Sequence, residues 1–167
     1  MYIPFDNLPD SSRLWIYQAD TQLNSEQHDI LFDGLQAFTE KWEVHGQPMH
    51  ASFKLVDDYF IILAADEGVH ATSGCSIDNA VRIVGDLGRT IRVNFFNRNN
   101  IAFRVNDQVK LVDLSTLKKK LAAGEWDGES LVYNNLVQQK SALTNEWIIP
   151  AYASWLKRYL PQGSLSS

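Results

Sequence analysis

The sequence contains one cysteine, Cys75, among 167 residues. A lone thiol cannot form an intramolecular disulfide, and it excludes zinc sites of the CxxC type. No apolar run approaches the roughly 20 residues that a membrane-spanning helix needs, and residues 1–6 lack the basic and apolar regions of a signal peptide. These absences predict a cytoplasmic protein from a reducing compartment, without a membrane partner.

Several catalytic and nucleotide-binding motifs are also missing. The sequence has no GxSxG nucleophile elbow, no GxGxxG dinucleotide fingerprint and no HxH or HExxH metal spacing. Residues 85–90 share only glycines with a phosphate loop, because arginine stands where lysine is needed and a helix precedes them. His45, His50 and His70 lack a metal-binding spacing as well. We therefore expect no cofactor and no metal.

The length favours one domain, because 167 residues can bury a sizeable core within a single fold. We expect this domain to span residues 1–160, followed by a flexible tail at 161–167. The net charge of −5 provides no general attraction for nucleic acid or anionic lipid. Residues 1–90 hold 14 acids and 5 bases, whereas residues 91–167 hold 6 acids and 10 bases. This asymmetry indicates an acidic and a basic face on one body.

Apolar spacing along the first 96 residues alternates between strand and helix periods, which predicts an α+β fold. The predicted order is strand, helix, strand, strand, helix, strand, at about residues 13–19, 25–45, 49–56, 59–65, 76–87 and 90–96. This is the split βαβ order of a ferredoxin-like βαββαβ core, in which both helices cover one face of the sheet. Asp57 and Asp58 are expected to form the turn of the central hairpin.

The remaining chain predicts two additions to this core. Residues 101–105 and 108–112 flank Asn106-Asp107, which is a two-residue hairpin signal. A C-terminal helix is predicted at about residues 144–160, with Pro150 tolerated in its first turn.

Residues 71–81 hold the strongest candidate site. Cys75 stands at the predicted N-terminus of the second helix, where unpaired N–H groups and the helix dipole stabilise an anion. Such a position favours the reactive thiolate over the thiol, and His70 is close enough in sequence to act as a base. We therefore name Cys75 and His70 as candidate catalytic residues. The candidate binding residues are Ser73, Gly74, Ser76, Asp78 and Arg98.

The alternative interpretation of this stretch is structural. Free cysteine is often a small buried apolar residue, and Ser73 or Ser76 would then only cap the helix. Asp78 in the first turn also opposes formation of a thiolate, because the two charges are alike. A deep pocket that joins Cys75 to His70 or to an arginine would favour an enzyme. A closed, packed Cys75 would favour an interaction protein.

Arginines surround the phenylalanines of the region after this helix. Arginine beside aromatic rings suits base stacking and phosphate contacts, and the predicted element order is also that of an RNA-recognition domain. The third strand, however, would read Val56-Asp57-Asp58-Tyr59, which is acidic where a basic motif is needed, so the sequence argues against nucleic-acid binding. The arginines are Arg82, Arg89, Arg92, Arg98 and Arg104, and the rings are Phe95, Phe96 and Phe103.

Five short segments form a pattern that spans nearly the whole chain. They are Trp15-Ile16-Tyr17-Gln18, His50-Ala51-Ser52-Phe53, Ser73-Gly74-Cys75-Ser76-Ile77-Asp78, Phe95-Phe96-Asn97-Arg98 and Ser154-Trp155. Together they resemble a family of small, uncharacterised bacterial proteins that are often labelled ABC transporter ATPase. The resemblance implies a compact cytoplasmic protein in which the cysteine-containing turn matters, and the family carries no established activity. The ATPase label does not carry over, because the chain lacks a Walker A motif and is too short for a nucleotide-binding domain.

The sequence therefore predicts a protein of unknown function, most simply a non-catalytic binding or interaction module. The expected partners are a second copy of the chain, bound through an exposed face of the ferredoxin-like sheet, and a small anionic ligand. The alternative is a thiol-dependent enzyme or redox sensor that uses Cys75.

Overall fold

The computed structural model describes residues 1–68 and 70–161. Helices and antiparallel sheets are mixed along this part of the chain, which confirms the predicted α+β class. The chain divides into two compact units. Unit 1 comprises Met1–Asn97 and Gln138–Ser141, and unit 2 comprises Arg98–Val137 and the residues from Ala142 onward. The single domain predicted over residues 1–160 stays a prediction, and the predicted tail lies outside the described residues beyond Pro161.

Unit 1 is a three-stranded antiparallel sheet with two long helices. Its elements are β1 (Arg13–Gln18), α1 (Ser25–Lys41), β2 (Glu43–Val44), β3 (Gln47–Pro48), β4 (Ala51–Val56), β5 (Phe60–Ala65) and α2 (Gly74–Ile91). The strand order is β1-β5-β4, and β2 and β3 form a separate two-stranded ribbon. Asp57 and Asp58 make the β4–β5 turn with φ values of 53° and 59°, as in type I′ hairpins. Apart from the β2–β3 ribbon, which begins where the first helix was predicted to continue to residue 45, the element order matches the predicted βαββαβ pattern as far as α2.

β5 forms the centre of unit 1, because all six of its residues are apolar and buried. Ile61, Leu63 and Ala65 belong to one hydrophobic cluster with Leu31 and Leu35 of α1. Burying such a side chain contributes about 1.5–3 kcal/mol, so this cluster holds the helices on one face of the sheet. All six residues of β5 are buried, and a dimer through an exposed sheet face stays a prediction.

Two hydrogen bonds join α1 to α2. The Nε2 of Gln27 donates to the carbonyl of Ile91, and the Nε1 of Trp42 donates to the carbonyl of Ser76, each at 2.9 Å. The start of α1 therefore lies beside the end of α2, and the end of α1 lies beside the start of α2. Asn24 caps α1 by accepting the Gln27 N–H at 2.8 Å.

The strand predicted at residues 90–96 is wrong. α2 continues through Ile91, and Arg92 ends it in the left-handed conformation, with φ of 61°. The N–H of Val93 then donates to the carbonyl of Gly88 at 2.8 Å, a bond typical of a helix C-terminus. The hydrogen bonds of the helix and its cap thus outweigh the strand propensity of these residues.

Short chain segments pair with both outer strands of this sheet. The N–H of Ile3 donates to the carbonyl of Ala51 in β4 at 2.8 Å. On the other side, the N–H of Leu14 in β1 donates to the carbonyl of Gln138 at 2.9 Å, and an isolated antiparallel bridge lies next to it. The segment around Gln138 therefore lies beside β1.

Unit 2 is a four-stranded antiparallel sheet with a short helix. Its elements are β6 (Asn100–Val105), β7 (Gln108–Asp113), α3 (Leu114–Ala122), β8 (Leu131–Tyr133), α4 (Leu143–Glu146) and β9 (Ile148–Pro150), and its strand order is β7-β6-β8-β9. The β6–β7 hairpin is confirmed, with Asn106 and Asp107 at φ of 52° and 62°. Phe103 lies in the core with Leu117 and Leu121 of α3.

The C-terminal helix predicted at residues 144–160 is wrong. α4 has four residues, and Ile149 and Pro150 belong to β9. Proline lacks an N–H and restricts the preceding residue to extended conformations, so the chain leaves the helical path at this point. Two 3₁₀ turns follow, at Ala151–Ala153 and Trp155–Tyr159.

Candidate functional site

Cys75 is the second residue of α2 and is exposed. The helix predicted to begin beside it is confirmed, and Ser73 is its N-cap, because the Ser73 Oγ accepts the N–H of Ser76 at 3.1 Å. The structural interpretation, in which Cys75 is buried among apolar side chains, is therefore wrong. The thiol reaches solvent at the first turn of an 18-residue helix.

Ser76 faces the interior of unit 1 rather than a ligand. Its side chain is buried, and its Oγ donates to the carbonyl of Glu43 at 2.8 Å while lying 2.8 Å from the Ser73 Oγ. Its own carbonyl accepts the Trp42 indole N–H. These bonds attach the start of α2 to the end of α1, so both serines act here as structural residues.

The other predicted site residues do not complete a catalytic arrangement around the thiol. His70 and Asp78 are exposed, and no hydrogen bond joins either to Cys75 within residues 1–68 and 70–161. Gly74 opens to solvent, with nothing within 4 Å of a Cβ built on it. Arg98 is exposed and belongs to unit 2. Among the described residues, these contacts do not include the base beside Cys75 that would favour an enzyme.

A cleft of about 420 Å³ lies in unit 1 at the other end of α2. We call it the α2 cleft. Its lining consists of Asp20, of Val84, Gly85, Gly88 and Arg89 on the helix, and of the loop residues Arg92–Phe96. Val84 and Gly88 are buried beneath it, whereas Arg89, Arg92 and Phe96 are exposed around it.

The loop of residues 92–96 forms one side of the cleft, and hydrogen bonds within the loop and to Asp20 hold it in place. The N–H of Asn94 donates to the Oδ1 of Asp20 at 3.1 Å, and the N–H of Asp20 donates to the carbonyl of Asn94 at 3.0 Å. The Oδ1 of Asn94 accepts the Phe96 N–H at 2.8 Å, which is an Asx turn. The loop geometry is thus fixed before any ligand arrives.

Two arginines and an aromatic ring give the cleft its chemistry. Arg89 pairs with Asp86 three residues earlier, whereas the Arg92 guanidinium has no hydrogen bond or ion pair within the described chain. The Phe96 side chain is 44% exposed, and its ring stands edge-on to Tyr17 with centroids 6.0 Å apart. Burial raises the pKa of Tyr17 to about 12, so this supporting ring is neutral near pH 7.

Gly85 leaves space between two of these groups. A Cβ built on Gly85 would lie 3.5 Å from the Nη1 of Arg89 and 3.6 Å from the Cε2 of Phe96. These are ordinary van der Waals distances, so the space above Gly85 accepts a methyl group without a clash. The guanidinium and the ring thus both lie at contact distance from the surface of the helix at Gly85.

The sequence contained part of the signal for this cleft. Arg89, Arg92, Phe95 and Phe96 belong to the set interpreted as suited to stacking and phosphate contacts. The mistaken strand at residues 90–96 concealed their arrangement, because a strand would send alternate side chains to opposite faces. Gly85 and Gly88 of α2 form the floor of the cleft.

The described residues hold no group of three His, Cys, Asp or Glu side chains placed to bind a metal ion. Each helix in the described part of the chain is too short or too polar to cross a membrane. No family model, curated protein or solved structure matches the chain. The family resemblance found in the sequence therefore stays a prediction.

Proposed function

We propose that the protein is a non-catalytic binding module that holds a small molecule in the α2 cleft. The observation that carries this proposal is the composition of the lining, in which two arginines and a half-exposed Phe96 surround a glycine floor. Binding sites typically combine apolar surface with a few convergent polar groups. The volume of about 420 Å³ lies within the usual range for small ligands.

The lining supports binding better than catalysis. It includes no cysteine, histidine, serine or lysine, and its one carboxylate, Asp20, accepts a backbone N–H of the loop. The exposed thiol is remote from the cleft, because the ten residues from Cys75 to Gly85 span about 15 Å of helix. A nucleophile and a general base therefore do not meet in this site.

The test is ligand mapping by ¹⁵N NMR on the full chain, using a fragment set with equal numbers of neutral, cationic and anionic members. We expect fragments to shift the amide signals of residues 84–96. The thiol-blocked protein serves as the control and should respond in the same way. Shifts confined to other residues, or none with any fragment, would contradict the proposal.

The second candidate function is a thiol-dependent enzyme or redox sensor that uses Cys75. It is supported by the exposure of Cys75 in the first turn of α2, where the helix dipole favours an anion. It lacks a neighbouring base, since His70 makes no hydrogen bond to Cys75 in the described chain. Alkylation kinetics, given in the Discussion, test this candidate separately.

We also propose a ferredoxin-like topology for unit 1, a cytoplasmic location and self-association of the chain. The antiparallel strand order β1-β5-β4 supports the ferredoxin-like topology. The segment around Gln138 lies beside β1, where the fourth strand of that topology would stand. For self-association we propose the unit 2 sheet around Leu131, which is 41% exposed and pairs with Arg104. Sedimentation of wild type and Leu131→Lys tests it, since a monomeric wild type excludes a dimer.

A further inference from the structure

We infer that the α2 cleft selects a small flat molecule bearing one anionic group, such as a carboxylate or phosphate attached to an aromatic ring system. This inference rests on the proposed binding function and specifies its ligand class. Three features of unit 1 carry it: the unpaired guanidinium of Arg92, the position above Gly85 that lies at contact distance from Arg89 and Phe96, and the carboxylate of Asp20.

Arg92 supplies the anion contact. Its side chain is exposed at the cleft and makes no ion pair or hydrogen bond among the described residues, so its donors are available. Arg89 differs, because Asp86 neutralises it, and Arg82 approaches the same carboxylate at 3.9 Å. A guanidinium binds carboxylate or phosphate through paired N–H groups, which favours these anions over simple spherical ones.

The space above Gly85 suits a flat group. Arg89 Nη1 and Phe96 Cε2 each lie within 3.6 Å of the same point above this glycine. Aromatic rings pack well against both an aromatic ring and a guanidinium plane. Arg89 also pairs with Asp86, and the Phe96 ring makes an edge contact with Tyr17. A ring bound above Gly85 would therefore contact both the guanidinium and the Phe96 ring.

Asp20 limits the number and the position of negative charges on the ligand. Its Oδ1 accepts the Asn94 N–H, and the carboxylate forms part of the lining. A negative charge here repels ligands that are anionic along their whole length, while it can accept an N–H or O–H from a neutral part. The anionic group is therefore expected to be single and confined to the part of the ligand at Arg92.

The experiment compares charged and neutral members of matched pairs on the full chain. Indole-3-acetate is paired with indole-3-acetamide, adenosine monophosphate is paired with adenosine, and inorganic phosphate is the ring-free probe. We expect the charged member of at least one pair to bind about tenfold more tightly than its neutral partner, as charge-assisted hydrogen bonds imply. Binding by the indole pair identifies a carboxylate ligand, and binding by the adenosine pair identifies a phosphate ligand.

Three variants, of which one is a control, locate the effect. Arg92→Gln should remove most of the roughly tenfold preference for the charged member, whereas Lys41→Gln, an equal change of charge in the last turn of α1, should preserve it. Gly85→Ala should weaken binding of the flat probes by filling the space above the glycine. Equal binding of charged and neutral probes with shifts at residues 84–96 overturns the ligand class but leaves the binding function. If inorganic phosphate binds as tightly as the ring-bearing anions, the proposed ligand class is overturned as well.

Discussion

A Cβ atom built on Gly88 would lie 2.6 Å from the carbonyl oxygen of Val93. The neighbouring atom belongs to the backbone, so no side-chain rotation can relieve the contact. Glycine at this position lets the chain fold back closely against α2, with the Val93 N–H bonded to the Gly88 carbonyl. The wall of the α2 cleft depends on this close approach.

Gly88→Ala should therefore destabilise the protein. We expect the free energy of unfolding to fall by about 1–3 kcal/mol, as for other overpacked sites, despite the higher helix propensity of alanine. Urea denaturation followed by tryptophan fluorescence measures it. Gly74→Ala, where nothing lies within 4 Å, is the matched control. An unchanged midpoint for Gly88→Ala would show that the loop is not packed this closely.

Gly85→Ala should have the opposite effect on stability. The added methyl meets its neighbours at 3.5 and 3.6 Å, which needs no rearrangement. Replacing a glycine inside a helix should raise the free energy of unfolding by about 0.5–1 kcal/mol. The same denaturation experiment measures the change. A gain in stability together with weaker ligand binding would indicate that the glycine serves the cleft, whereas a loss of stability would contradict the geometry.

Trp42→Phe should loosen the start of α2. The substitution removes the indole N–H that the Ser76 carbonyl accepts at 2.9 Å in a buried position. Because that carbonyl lies within α2 and keeps its helical hydrogen bond, we expect a loss of about 0.5–1.5 kcal/mol, the net contribution of one hydrogen bond. Thermal unfolding and hydrogen exchange of the first α2 amides measure the loss. Trp15→Phe is the control, because Trp15 contacts the Trp42 ring and has no hydrogen bond from its indole in the described chain. Equal losses in both variants would assign the effect to ring packing.

Cys75 should react with a thiol reagent in the folded protein. Because the residue is exposed, we expect an alkylation rate within about fivefold of the rate in denaturant at the same pH. The pH profile of that rate tests the thiol-dependent candidate. A pH profile like that of a free thiol would show that the helix terminus does not activate Cys75. The Asp78→Asn variant shows whether the nearby carboxylate opposes formation of the thiolate. A thiol that reacts only after unfolding would contradict the exposed position.

Tyr17 should make unfolding sensitive to alkaline pH. Its folded pKa of about 12 lies above the ordinary value of 10.0, so the folded state holds the phenolic proton more tightly than the unfolded state. The stabilising contribution is complete below pH 10 and is lost as the pH rises from 10 toward 12. Ultraviolet titration of tyrosinate and urea midpoints across this range measure it. Tyr17→Phe should show a smaller alkaline loss of stability, and an equal loss would exclude Tyr17 as the cause.

Local sequence signals predicted the elements that local interactions determine. The turns at Asp57-Asp58 and at Asn106-Asp107 could be predicted, because a two-residue hairpin needs only neighbouring residues. The end of α2 could not be predicted in this way, because it depends on the contact between Gly88 and Val93, which forms only after folding.

The candidate site divides in the same way. The helix start at Cys75 followed from the Ser73 cap, which is a local signal. The exposure of Cys75 could not be predicted from the sequence, because burial depends on which residues the whole fold brings close to it. The α2 cleft joins Asp20 to residues more than 60 positions later, a distance that no short motif spans. Its arginines and phenylalanines were visible, but their common location required the loop geometry.

The pairing of Ile3 with Ala51 and of Leu14 with Gln138 has a consequence for handling the protein. Each bond occupies backbone groups that would otherwise offer a template for intermolecular β-pairing. A proteolytic cut before Gln138, or a fusion that displaces Ile3, would uncover a strand rich in apolar and aromatic residues. Aggregation into fibrils, rather than simple unfolding, is the failure that such damage would bring.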